Sequence, residues 1–137
     1  MSTDRTVNQK PHILVVEDDH DIQEVLRMFL EMEGYSVDIE ADCQSALKAA
    51  HAHSPQLVLL DYSIGELSLS DFIDSVCSIN PDVRIALVSG ASDLSTKAKQ
   101  LGLDKFLQKP FDPEMLLQLI EDCLRAPAKS RLCTGVH

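Results

Sequence analysis

Basic residues are scarce in this chain. Twelve Lys+Arg stand against twenty-two Asp+Glu, a formal net charge of −10 over 137 residues. A surface of that sign repels phosphate backbones, so direct nucleic-acid binding is not expected. Long apolar runs are missing too. Stretches such as Ile13–Val16 and Leu57–Leu60 are four residues long, far short of the roughly 20 that a membrane helix needs. Residues 1–10 are polar and lack the apolar core of a secretory signal. The four cysteines, Cys43, Cys77, Cys123 and Cys133, include no C-x-x-C pair. Widely separated cysteines fit free thiols in a reducing compartment better than a zinc site or a disulfide framework. Internal repeats and low-complexity segments are also absent. The expectation is a cytoplasmic protein without membrane contact.

What is present is the composition of an ordinary globular protein, 45% hydrophobic and 25% charged. The length suits a single domain, and a chain of this size buries enough surface to fold without a disulfide or metal. Whole-chain disorder, collagen and coiled coil are excluded.

Short apolar runs alternate with helical patterns. The first strand is read at His12–Val16. A helix follows with Ile22, Val25, Leu26, Phe29 and Leu30 on one face, opened by Asp19 or Asp21 and closed by Gly34. Residues 35–40 alternate as a second strand, and Asp42 caps a helix carrying Ala46, Leu47 and Ala50. Residues 56–60 form a third strand, ahead of a helix with Leu69, Phe72, Ile73, Val76 and Cys77. Residues 83–88 are a fourth strand. A short helix with Leu94, Ala98 and Leu101 runs to Gly102. Residues 103–107 are a fifth strand. Asp112 and Pro113 open a last helix that buries Leu116, Leu119, Ile120, Cys123 and Leu124. The order is (βα)5. Nearly continuous apolar strands call for a parallel sheet covered on both faces, hence a doubly wound α/β domain over residues 12–126. Residues 1–11 and 127–137 are expected to be flexible flanks.

Folds of this kind bind ligands outside the carboxyl ends of their strands. The residues there are Glu17, Asp18 and Asp19 after strand 1, Asp61 after strand 3, Ser89 and Gly90 after strand 4, and Lys109 and Pro110 after strand 5. Singly, each is ordinary loop or capping chemistry. Together they put at least three carboxylates at one end of the sheet, beside a hydroxyl and an ammonium. Clustered carboxylates repel unless a cation sits among them, and Mg2+, a hard cation with oxygen ligands, suits the place. Such a group fits phosphoryl transfer to a carboxylate.

The pieces that matter are Ile13, Leu14, Val15, Val16 leading into Glu17, Asp18, Asp19; Leu57, Val58, Leu59, Leu60 into Asp61; Leu87, Val88 into Ser89, Gly90, Ala91; and Phe106, Leu107, Gln108 into Lys109, Pro110, Phe111. In that order, each at a strand end, they resemble a response-regulator receiver domain of bacterial two-component signalling, of the stand-alone type. The resemblance covers residues 12–124. It implies a flavodoxin-like five-stranded sheet of order 2-1-3-4-5. It implies that Asp61 accepts the phosphoryl group, and that Glu17, Asp18, Asp61 and the backbone carbonyl of Ser63 hold Mg2+, with Mn2+ as a substitute. It gives Ser89 the hydroxyl switch position, Lys109 the pairing with the phosphoryl group, Pro110 a cis peptide and Phe106 the aromatic switch. Implied partners are a sensor histidine kinase or a histidine phosphotransfer protein, and a downstream protein target reached through the surface of helix 4, strand 5 and helix 5. The chain would be a monomer or weak dimer, and not an enzyme beyond its own phosphorylation and dephosphorylation. The residues after helix 5 leave no room for a DNA-binding effector, so output passes through protein contacts unless the chain is cut from a longer protein.

Gly65 and Leu69 depart from the family's usual proline and glycine, which implies an unusual path over residues 64–70. Gly90 stands where alanine is common. Phe106 lacks the hydroxyl of the tyrosine common at its position, so an inward ring is expected even without phosphate. Ser63 and Ala91 flank the line of attack on the phosphoryl group and hold a water poorly, which implies slow phosphate loss. An alternative reading is a small haloacid-dehalogenase-like Mg2+-dependent phosphatase. Ser63, where those enzymes carry a second aspartate, removes its general acid. His51 and His53, two residues apart, are expected on different helix faces and to be poor metal ligands.

Overall fold

The computed structural model describes residues 11–64 and 66–125. The element order is β1 (His12–Val16), α1 (His20–Met32), β2 (Ser36–Glu40), α2 (Cys43–Ala52), β3 (Leu57–Asp61), a 3-10 turn (Tyr62–Ile64), α3 (Glu66–Ile79), β4 (Arg84–Ser89), α4 (Leu94–Gln100), β5 (Phe106–Gln108) and α5 (Pro113–Arg125). All strand pairings are parallel and the order across the sheet is β2-β1-β3-β4-β5. This is the doubly wound architecture and strand order that the sequence implies. Nearly all of residues 1–11 and 127–137, together with Gly65 and Cys133, lie outside the described residues.

Period-two alternation divides each central strand between two cores. Leu14, Val16, Val58, Leu60, Ile85 and Leu87 pack toward α2, α3 and α4. Ile13, Val15, Leu57, Leu59, Ala86 and Val88 pack toward α1 and α5. Burial on both faces explains why β3 shows no polar residue before Asp61.

The helix ends follow local chemistry. Asp19 caps α1 by accepting from Ile22 N, and Asp42 caps α2 by accepting from Ser45 N. Asp112 Oδ1 accepts from Met115 N at the start of α5. Gly34 ends α1 with φ 94°, a left-handed conformation that suits a residue without Cβ. Leu69, in place of the family's usual glycine, is fully buried in α3.

Three expectations are corrected. Strand 5 is Phe106–Gln108 rather than residues 103–107, because Leu103 turns into the core beside α4 before the chain joins β4. Phe106 is 41% exposed, not inward. β5 is an edge strand on which Phe106 and Gln108 face solvent while Leu107 packs against the core. Cys77 is disulfide-bonded, whereas Cys43 and Cys123 are free thiols. Chain spacing does not reveal which thiols fold to bonding distance. Among the described residues no helix is long and apolar enough to cross a membrane.

Candidate functional site at the carboxyl ends of the strands

The parallel sheet delivers β1, β3, β4 and β5 to one edge of the molecule. An open cleft of about 440 Å3 there is lined by Glu17, Asp18, Asp61, Ser63, Ser89 and Lys109, with Gly90 and Ala91 beside them. Glu17, Asp61 and Ser89 are buried, while Asp18 is exposed. Oxygen atoms of Glu17, Asp18 and Asp61 all lie within 4.8 Å of one another. The strand-end residues Glu17, Asp18, Asp19, Asp61, Ser89 and Lys109 are thus brought to one place, whereas the Phe106 ring is exposed on β5.

Lys109 reaches across the cleft floor. Its Nζ donates to Glu17 Oε1 at 2.8 Å and to Asp61 Oδ2 at 3.2 Å. The other Asp61 oxygen, Oδ1, accepts from Ser63 N at 3.0 Å in the 3-10 turn. Glu17 Oε2 accepts from Asp19 N. The Lys109–Pro110 peptide is cis, and Lys109 N donates to Ser89 O at 2.8 Å, tying β5 to β4 behind the site. Ser89 Oγ accepts from Ala91 N at 3.2 Å, and Gln108 Nε2 donates to Ala91 O, so two bonds hold the loop after β4. Lys97 Nζ lies 5.4 Å from the centre of the Tyr62 ring, linking α4 to the turn after Asp61.

Burial and mutual charge divide the two buried carboxyls. Burial raises the Glu17 carboxyl above its ordinary value, and the nearby Asp61 adds to this against the opposing bond from Lys109. Burial also pushes Asp61 up, but the Ser63 N–H, the bond with Glu17 and the charge of Lys109 outweigh it, so Asp61 lies below its ordinary value. Lys109 is held protonated: burial disfavours its charge, yet Glu17 and Asp61 more than offset this. Asp61 is thus the carboxylate that stays ionised.

The donor set fits a hard divalent cation. Three carboxylates converge on a cleft open to water, two of them buried, and one ammonium cannot neutralise all three. The residues present therefore suit Mg2+.

The sequence reading missed a second cluster. His12, Asp38 and His53 also bring metal-ligating atoms within 4.8 Å of one another. His53 is indeed a surface residue, but it is the C-cap of α2 rather than part of its helical face. It meets β1 and β2 there, a convergence that helical spacing against His51 could not show.

A family model for the response regulator receiver domain matches residues 13–121. A transcriptional regulatory protein of Bacillus subtilis, YkoG, is 34% identical over 119 residues, covering 85% of this chain and 52% of that protein. The response regulator ArlR of Staphylococcus saprophyticus is 32% identical over 122 residues, covering 88% and 55%. The chain spans about half the length of these curated relatives. Among solved structures, a CheY-like receiver domain from Methanospirillum hungatei superimposes with TM-score 0.73 at 28% identity, covering 83% of this chain and 93% of that one. NtrX from Brucella abortus gives TM-score 0.74 at 28% identity, covering 85% and 26%. Neither the family match nor these relatives support the phosphatase alternative. With a sheet of this order, an acid cluster at its carboxyl edge and a family match across most of its length, the chain belongs to the response regulator receiver domain family.

Proposed function

We propose that Asp61 is the phosphoacceptor of a signalling switch, charged by a sensor histidine kinase or a histidine phosphotransfer protein. The observation that carries this reading is the position of Asp61: at the end of β3, facing an open cleft, kept ionised by Ser63 N–H and by Lys109. An Asp61 oxygen attacks the phosphorus of a phosphohistidine, the P–N bond breaks, and the leaving imidazole takes a proton. Lys109 is placed to move its ion pair from Asp61 to the incoming phosphoryl oxygens, because formation of the acyl phosphate removes the carboxylate charge of Asp61. Glu17, Asp18, Asp61 and the Ser63 carbonyl would hold Mg2+, or Mn2+ in its place. The ion, when bound, neutralises phosphoryl oxygens and so lowers the barrier to transfer.

Ser89 is the hydroxyl for the readout. Its Oγ accepts from Ala91 N, and its O–H can donate to a phosphoryl oxygen on Asp61, drawing the loop after β4 toward the site. The exposed Phe106 ring then turns inward as the loop after β4 moves. The altered surface of α4, β5 and α5 regulates a protein partner without direct nucleic-acid contact. The reading includes a cytoplasmic location, a domain over residues 12–126 with short flanks, a monomeric or weakly dimeric state, and no turnover beyond the protein's own phosphorylation and dephosphorylation.

The test is incubation with Mg2+ and acetyl phosphate or phosphoramidate, followed by intact mass. One phosphoryl adduct is expected in the wild type and none in Asp61→Ala or after chelation. An adduct unchanged in Asp61→Ala overturns the assignment. Turnover of p-nitrophenyl phosphate would instead favour a phosphatase.

A further inference from the structure

We propose that His12, Asp38 and His53 form a second metal site, for a borderline divalent transition cation of the Zn2+ class, at the amino-terminal edge of the sheet. The three residues come from three elements. His12 opens β1, Asp38 lies in β2, and His53 caps the C-terminus of α2. Along β1 the distance from His12 to Glu17 is five residues, roughly 16 Å at strand rise, so this cluster is separate from the acidic cleft.

One carboxylate oxygen organises the group. Asp38 Oδ2 lies 2.8 Å from His12 Nε2 and 3.2 Å from His53 Nδ1. The two imidazole rings are tilted at 59° with centroids 5.5 Å apart, so they converge without stacking flat. Tetrahedral Zn2+ with bonds of about 2.0–2.1 Å sets neighbouring ligand atoms roughly 3.3–3.4 Å apart. The contacts to Asp38 Oδ2 need to lengthen by only a few tenths of an ångström to admit the ion. Two imidazoles and one carboxylate complete three positions, and water takes the fourth. The His53 side chain is 67% exposed and that of His12 only 16%, so the site has one anchored wall and one open door.

A second observation supports the assignment. His12 Nδ1 is 2.8 Å from Ser36 Oγ. A ligating imidazole is oriented by a hydrogen bond at its other nitrogen, and Ser36 supplies that partner here. The ring can carry its proton on either nitrogen. Metal at Nε2 shifts the proton to Nδ1, where Ser36 Oγ accepts it, and at His53 the proton moves to the solvent-facing Nε2. Binding therefore keeps the His12–Ser36 bond in place. Imidazole nitrogens select Zn2+, Ni2+ or Cu2+ over Mg2+. An occupied site would pin the edge strand β2 and the end of α2 to β1.

The experiment is isothermal titration of Zn2+ into the full chain, in the wild type and in an Asp18→Asn/Asp61→Asn background that weakens the acidic cleft. Saturable one-site binding is expected in the Asp18→Asn/Asp61→Asn background, with affinity at least tenfold weaker when His53→Gln is added there and about tenfold weaker with the positioning variant Ser36→Ala; the wild type should keep this site and add any binding by the cleft. His53→Gln and Ser36→Ala alter exposed positions, so their thermal melts without metal should match the wild type, and His12→Gln is not needed for the conclusion. Absence of saturable binding up to millimolar Zn2+ overturns the proposal. So does an affinity unchanged in His53→Gln, or binding lost in the Asp18→Asn/Asp61→Asn background.

Discussion

Lys109 holds two buried carboxylates at once, through bonds of 2.8 Å to Glu17 and 3.2 Å to Asp61. Replacing it by methionine leaves those charges facing each other, and one must take a proton or the site must open. Lys109→Met is expected to lose about 2–3 kcal/mol in urea denaturation at pH 7, at or below the usual cost of breaking a buried pair because the cleft admits water. Adding Glu17→Gln should restore most of that loss, since the two changes share one interaction and are not additive. Equal losses in the single and double variants would show that the ion pairs are not the cause. A second prediction concerns phosphate retention. Ser63 and Ala91 both line the cleft, and neither carries a long polar group to hold an attacking water in line. Decay of the phosphoprotein should speed up in Ser63→Asn and Ala91→Glu, and unchanged decay in both would remove the orientation argument.

At the scale of elements, β5 is the least embedded strand. It has three residues at the sheet edge, and Phe106 pairs in register with Leu87 of β4 while its ring stays exposed. Phe72, by contrast, is 1% exposed in α3. Phe72→Ala should therefore cost about 3–5 kcal/mol, and Phe106→Ala about 1 kcal/mol or less in the unphosphorylated protein. That pair of measurements distinguishes a ring that stabilises the resting fold from one kept free for the switch. A large loss in Phe106→Ala would mean that the ring already contributes to the core. The short α4 fits the same picture: seven residues, entered through Asp93 in a left-handed conformation without a side-chain cap. Such a helix resists rearrangement weakly, and it stands between the loop after β4 and β5.

At the scale of the molecule, two linkages set stability. A cation that binds the native acid cluster raises the midpoint of thermal unfolding as its concentration rises. Mg2+ at ten times its dissociation constant should add about 1.4 kcal/mol, and Asp18→Asn should reduce this shift. Identical shifts would place the ion elsewhere. The other linkage is alkaline. Cys123 lies buried in α5 and burial pushes its thiol up to about 11 from 9.0. A folded-state value above the unfolded one means that the stabilisation is complete below about pH 9 and is lost as pH rises toward 11, because the unfolded chain releases the proton first. The loss attributable to Cys123 over that window is about 3 kcal/mol. Cys123→Ala should flatten the decline of stability between pH 9 and 11, and an unchanged slope would assign it to other groups that titrate there, such as Tyr35 and Lys109.

Local chemistry alone determined the order of elements, the helix caps and the gathering of Glu17, Asp61, Ser89 and Lys109. Hydrophobic period is a property of neighbouring residues, Asp19, Asp42 and Asp112 cap helices within three residues of themselves, and in a parallel sheet every strand end falls on the same edge. Contacts between distant segments were beyond its reach. The exposure of Phe106 depends on the place of β5 at the sheet edge. The start of β5 depends on where Leu103 enters the core. The meeting of His12, Asp38 and His53 depends on the parallel register of His12 with Ser36 and on where α2 ends against β2. Each is settled by packing between segments distant in the chain, whose separation in space no local pattern encodes.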